Sequence, residues 1–242
     1  MSDEGGLARE DQLAWFNQKA LDTFRAQLRI HATVDLAGME VDSHGDFSVL
    51  TVAGYDRDGR CYILDIRRGH FSPTEVIGHI FDIHRRYSPF DIKIEKDAHA
   101  RVLAHFLARE CQKRQVFPNI VELKRDTRTS KIQRIKGLQP WFASKTLRFF
   151  DGITCKTDLV REIVEFPSSA HDDILDTIAD QMQNRDGSVN YDVIPDEERE
   201  LPWGIALPQN RFIGFDPITQ EQRFLYDLSQ SEGQCYDPVT GV

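Results

Sequence analysis

Apolar and polar residues alternate along three consecutive stretches in the first third of the chain. IHATVDLAG from Ile30, FSVLTVAGY from Phe47 and CYILDIRR from Cys61 each read as a strand. The turn sequence DRDG, Asp56 to Gly59, joins the last two and makes them a hairpin. Together the three predict an antiparallel meander. The period then changes. In SPTEVIGHIFDIHRRYSP, Val76, Ile77, Ile80, Phe81 and His84 recur on one helical face. Ser72 is suited to the N-cap, Pro73 to the first helical position, and Glu75 to the far side of a capping box. Pro89 stops the helix. After it come FDIKIE as a short strand, a helix from about Asp97 to Arg114, NIVEL as a strand, and a helix within KRDTRTSKIQRIKGLQPWF. TLRFF is a final strand, followed by helices near 157–165 and 171–184.

Three antiparallel strands followed by strand–helix alternation predict an α/β fold: a mixed sheet with helices on both faces. Leu13, Phe16, Ala20, Leu21, Phe24 and Leu28 keep helical spacing ahead of it, so residues 1–29 read as a helical lead-in. The domain proper is expected over 30–185. From 186 to 242 the chain turns polar, acidic and proline-punctuated, and reads as a tail with local structure in WGIAL, RFIGFDP and RFLYDL.

A chain of 242 residues can bury a core without disulfide or metal staples. Its four cysteines, Cys61, Cys111, Cys155 and Cys235, are widely spaced and contain no CxxC pair, which speaks against a disulfide scaffold or a zinc ribbon. No apolar run is long enough to span a membrane, and the acidic start MSDEGGLAREDQ does not read as a secretory signal. The net charge of −9 argues mildly against nucleic acid, but the charge is unevenly spread. Residues 121–148 hold eight Lys and Arg against two acids, whereas 183–242 hold eleven acids against four arginines. A local basic stripe can grip phosphates while the remainder keeps the protein soluble.

Candidate chemistry lies in acids at element ends. Asp35 interrupts the first strand, Glu95 closes FDIKIE, and Asp172 and Asp173 open the helix HDDILDTIADQ. The carboxyl ends of strands and the starts of helices are where sites assemble in such sheets. Converging, these acids would form an all-oxygen cluster suited to Mg²⁺ or Mn²⁺. Each acid taken alone has an ordinary reading as a turn cap, a solvated strand end or a first-turn helix charge. The ordered combination is what points to a site. Trp141 and Phe142 read as core.

That combination resembles a known family. VDLAGMEVDSHGDFSVLTVAGYDRDG, IKIEKDA and FPSSAHDDILDTIADQ are similar to the nuclease domain of the large terminase subunit of tailed bacteriophages. Asp35, Ala37, Gly45 and Asp46 match its first motif and Glu95 its second. His171, Asp172, Asp173, Asp176 and Ala179 match the third, and KIQRIKGLQP, Lys131 to Pro140, matches a basic segment between them. The likeness covers roughly Ile30 to Gln183. No GxxxxGK[ST] phosphate loop occurs, so the family's ATPase motor is not expected in this chain.

The resemblance implies an RNase H-like fold and a metal-dependent DNA endonuclease that cuts concatemeric viral DNA during genome packaging. It implies two Mg²⁺ or Mn²⁺ ions, with Asp35 bridging them, Glu95 on one, and Asp172 or Asp173 on the other. Asp46 would be an auxiliary ligand and His171 a proton-transfer or capping residue. Lys124, Arg125, Arg128, Lys131, Arg134 and Lys136 would hold the phosphates of double-stranded DNA. The partners implied are a terminase ATPase domain, a small terminase subunit and a portal protein, in the host cytoplasm, with no membrane. Alternatives are another RNase H-like nuclease, of the resolvase or RNase H type, and a non-catalytic packaging adaptor.

Overall fold

The computed structural model describes residues 6–37, 47–95, 98–125 and 128–183, and the strand segments 200–201, 205–206, 210–215 and 222–226. Seven strands form one sheet: β1 (Ala14–Phe16), β2 (Arg29–Asp35), β3 (Ser48–Tyr55), β4 (Cys61–Gly69), β5 (Ile92–Glu95), β6 (Ile120–Leu123) and β7 (Leu147–Phe150). Their order is β1-β7-β4-β3-β2-β5-β6. β2, β3 and β4 make the antiparallel meander that the alternation predicts. β5 joins β2 in parallel, β6 joins β5, and β7 joins β4. This is the mixed sheet that the strand–helix order predicts, with β2 between its hairpin partner and the first parallel strand.

Helices cover both faces. They are α1 (Gln18–Phe24), α2 (Pro73–Tyr87), α3 (Ala98–Arg114), α4 (Lys131–Lys136), α5 (Gln139–Ala143), α6 (Lys156–Glu165) and α7 (Asp173–Gln183). The strict alternation of β3 explains the two layers. Leu50 and Val52 face a core built with Ile77, Ile80 and Ile83 of α2 and Leu103 and Leu107 of α3. Val49 and Ala53 face a second core with Phe142 of α5, Ile163 of α6 and Ile174 and Ile178 of α7. Phe142 is buried in that core as the sequence predicts, while Trp141 packs partly buried at its edge. The capping box of α2 forms as its spacing predicts. The Ser72 hydroxyl accepts from the Glu75 amide, and Glu75 accepts from the Ser72 amide. The helix stops at Tyr87 because Ser88 turns left-handed, φ 47°, ahead of Pro89.

The helical reading of the N-terminal segment needs correction. Among its described residues only Gln18–Phe24 is α-helical, capped by the Asn17 side chain. Ala14–Phe16 is a strand that pairs in parallel with Arg148–Phe150. The apolar residues of the whole segment keep helical spacing, but those of this strand are satisfied by a tertiary partner that local periodicity does not register. In the tail, Asn210–Phe215 pairs with Gln222–Tyr226, and Glu200–Leu201 with Ile205–Ala206. Cys61, Cys111 and Cys155 are unbridged. No described helix is long and apolar enough to cross a membrane.

Candidate functional site

Strand pleating decides which side chains reach the site. On β2, Ile30, Ala32 and Val34 enter the core with α2 and α3, so Asp35 projects from the opposite face, the one that α7 packs against. On β5, Ile92 and Ile94 enter the same core, so Glu95 projects beside Asp35. The parallel register pairs Val34 with Ile94, and each acid follows by one residue. Two carboxylates therefore end neighbouring strands, about 5 Å apart in the sheet.

Across from them runs α7. Its apolar residues Ile174, Leu175, Ile178 and Ala179 anchor it in the core. Asp173, Asp176 and Asp180, spaced by three and four, form a row along the helix. All three are buried, Asp180 completely. Thr51 and His31 offer their carbonyls to the Gln181 side chain, which fixes α7 over β2 and β3.

Three cations meet these acids in order. Lys131, the first residue of α4, lies 2.6 Å from Asp172, 3.7 Å from Asp173 and 4.0 Å from Asp176. Arg134, one turn on, donates to Asp176 at 2.7 Å and stands 3.6 Å from Asp180. Arg125, two residues past β6, reaches the largest set. Its Nη1 donates to Glu95, and its Nη2 lies 2.6 Å from Asp180, 3.4 Å from Asp35 and 3.6 Å from Asp176. Its Nε also donates to Asp180, at 3.0 Å. Six carboxylates thus face three cations.

The excess shows in the protonation equilibria. Desolvation raises the Asp35 carboxyl most; Arg125 opposes it, and Asp176, Asp180 and Glu95 add to it. The result is a carboxyl pushed up to about 6. Burial also raises Asp180 against its hydrogen bonds from Arg125. A carboxylate that resists ionising beside its neighbours is a group in need of more positive charge.

The expected site residues therefore separate. Asp35 and Glu95 meet on Arg125. Asp172 and Asp173 lie at the other end of the row, with Lys131, and Asp176 links the two ends. Asp172 is one-third exposed and engaged by Lys131, whereas Asp173 is buried and its Oδ2 has no hydrogen-bond donor. His171 is exposed, 3.9 Å from Asp173, with its ring against Phe47. Asp46 lies outside the described residues. Of the basic stripe, Lys124, Arg128 and Lys136 are exposed, but Arg125, Lys131 and Arg134 turn inward to the acids. Sequence reasoning reaches Asp176 only as a motif match and misses Asp180. The signal that could have found both is the helical spacing 173, 176, 180.

A hard divalent cation fits the chemistry of this donor set: carboxylate oxygens alone, more acids than cations, and a buried Asp173 oxygen without a donor. In the observed arrangement the acids surround the guanidinium, and among the described residues no three of them are close enough to share one ion.

No family model matches the chain, and no curated protein matches it. Among solved structures, the chain is similar to the large terminase nuclease from thermophilic phage G20c with bound zinc. The identity is 17%, the match covers 64% of this chain and 80% of that one, and the TM-score is 0.41. It is also similar to the yeast mitochondrial Holliday junction resolvase, at 13% identity over 64% of this chain and 78% of that one, with a TM-score of 0.37.

Proposed function

We propose that this chain is a metal-dependent DNA endonuclease of the terminase type, cutting viral DNA during packaging. The observation that carries the reading is the meeting of Asp35 and Glu95, from adjacent strand ends, with the acidic row of α7 around one cation. A purely structural ion pair has no use for so many acids in one place. Asp35 and Glu95 would hold divalent ions together with an acid of α7. Asp173 is favoured over Asp172, because its buried Oδ2 lacks a donor while Asp172 is engaged by Lys131. When bound, a pair of divalent ions supplies charge for the attacking water and for the leaving oxygen of a phosphodiester.

The protein's own groups do the rest. Burial of the α7 row keeps bulk water from that side of the acids. The exposed Lys124, Arg128 and Lys136 hold phosphates beside them. Phosphate contacts give affinity without base choice, so cutting is sequence-tolerant and falls steeply with salt.

The test is incubation of supercoiled plasmid with the protein and Mn²⁺ or Mg²⁺, with and without EDTA, beside Asp35→Asn and Glu95→Gln. Nicking that needs the metal and is lost in both variants supports the reading. DNA binding that ignores EDTA, with no nicking, would instead mark a packaging adaptor. Preferential cutting of four-way junctions or RNA–DNA hybrids over plasmid would mark a resolvase or RNase H type.

A further inference from the structure

The carboxylate pocket already contains a cation, and it belongs to the chain. Arg125 uses all three of its guanidinium nitrogens on Glu95, Asp180, Asp35 and Asp176. We propose that Arg125 is a displaceable counter-cation, which fills the pocket in the metal-free chain and leaves it when divalent ions enter. This rests on the reading of the pocket as a metal site.

The geometry makes the two occupants mutually exclusive. Apart from Glu95, the acids stand 2.6–3.6 Å from guanidinium nitrogens, spread around a planar group. Mg²⁺ needs oxygens at about 2.1 Å in a compact shell. Asp35 and Glu95, the two acids common to both arrangements, cannot do both, and with Arg125 inside, no three described acids are grouped to share an ion. Charge favours exchange. One guanidinium brings a single positive charge to four carboxylates, whereas each divalent ion brings two.

Comparison with Arg134 shows why Arg125 is the one that moves. Arg134 belongs to a helical turn, is 9% exposed, and is wedged between Asp176 and Asp180. Arg125 is twice as exposed, at 18%, and lies in non-helical chain beyond the end of β6. Arg134 is the fixed partner of the α7 row, and Arg125 the replaceable one.

Displacement gives Arg125 a second task. A guanidinium released at the edge of a loaded metal site is placed to bind a DNA phosphate in the bidentate manner that arginine favours. Metal uptake therefore frees a phosphate ligand, and the two binding events reinforce each other, each raising the affinity of the other by the same factor.

The experiment uses the full chain, stripped with EDTA and then titrated with Mn²⁺, with free Mn²⁺ read by electron paramagnetic resonance. Wild type, Arg125→Gln, Arg125→Lys and Asp35→Asn are compared. Removing the competitor in Arg125→Gln should lower the metal-free melting temperature yet tighten Mn²⁺ binding on the order of tenfold, the usual size of such a coupling. Arg125→Lys, which keeps the charge but loses the fork, should fall between, and it guards against loss of fold in the Gln variant. Mn²⁺ binding in Arg125→Gln and Arg125→Lys no tighter than in wild type, with Asp35→Asn still losing it, overturns the displacement and leaves the metal site standing. Absence of saturable Mn²⁺ binding in wild type overturns both. In wild type itself, Mg²⁺ should shift the ¹⁵Nε–H resonance of Arg125 and speed its exchange with water; a resonance that stays put overturns the proposal.

Discussion

Two clusters of arginine and aspartate lie on opposite faces of the sheet, and they differ in the sign of their imbalance. Beside α2, Arg67 of β4 binds Asp65 at 3.0 Å and Asp82 at 2.7 Å, and Arg85 and Arg86 close on the same Asp82. Cations outnumber acids. Desolvation pushes Asp82 up, but hydrogen bonds from Arg85, Arg67 and Arg86 outweigh it and hold the carboxyl below its usual range. Beside α7 the acids outnumber the cations, and Asp35 is pushed the other way, to about 6. The first cluster is electrostatically finished and holds a helix to a strand. The second is left short of positive charge, and that shortage is what the proposed metal site rests on.

The largest effect should come from the fixed partner of the acidic row. Arg134→Ala leaves Asp176 and Asp180 buried with one fewer cation. Breaking a buried pair from one side costs about 3 kcal/mol. Urea unfolding in EDTA should show that loss, and Mn²⁺ should recover part of it by supplying the missing charge. A loss well under 1 kcal/mol would mean the row is not strained.

The next test reverses a sign. In the metal-free protein, Asp35→Asn should raise stability at pH 8, whereas Asp82→Asn should lower it, each by about 1–2 kcal/mol after allowance for solvent. The folded value of Asp35 lies above its ordinary 3.8, so the folded state holds the extra proton and stability falls as pH rises from about 4 to 6. The Asn variant removes that fall, so its advantage is present above pH 6 and absent near pH 4. For Asp82 the folded value is lowered, so its contribution is present above the ordinary value and fades as pH falls below it. Equal signs for the two variants would erase the distinction between the clusters. The same Asp35→Asn protein should be unable to nick DNA.

Much of this is legible in the chain because local rules and tertiary structure agree. β2 and β3 alternate cleanly, β4 does so up to a bulge at Leu64, and the Ser72–Glu75 box sits where its spacing says. Asp35 and Glu95 stand out as acids that end apolar strands, a pattern the sequence carries by itself. β1 does not, because three residues, Ala14 to Phe16, carry no period and are recruited by β7. Asp180 looks like any helix acid, since one sequence does not reveal that its position is wholly buried. Arg125, Lys131 and Arg134 read as a solvent-facing phosphate stripe. Which acids they meet depends on how α7 folds back over the sheet. Arg125 and Asp180 are 55 positions apart, and Arg134 and Asp176 are 42 apart. A run of charges carries no record of such distant partners.

The smallest effect tests the finished cluster. Arg85 is 78% exposed and donates to Asp82 at 2.8 Å, three residues back on the same helix. Its removal leaves Asp82 with Arg67 at 2.7 Å and Arg86 at 2.9 Å. An exposed ion pair between neighbouring turns of a helix contributes about 0.5 kcal/mol, and here two other arginines still satisfy the acid. Arg85→Ala should therefore shift the urea midpoint slightly, with no change in slope. A loss comparable to that of Arg134→Ala would show that Asp82 depends on every one of its arginines. The cluster beside α2 would then be as short of charge as the one beside α7, and the contrast behind the proposed site would lose its reference.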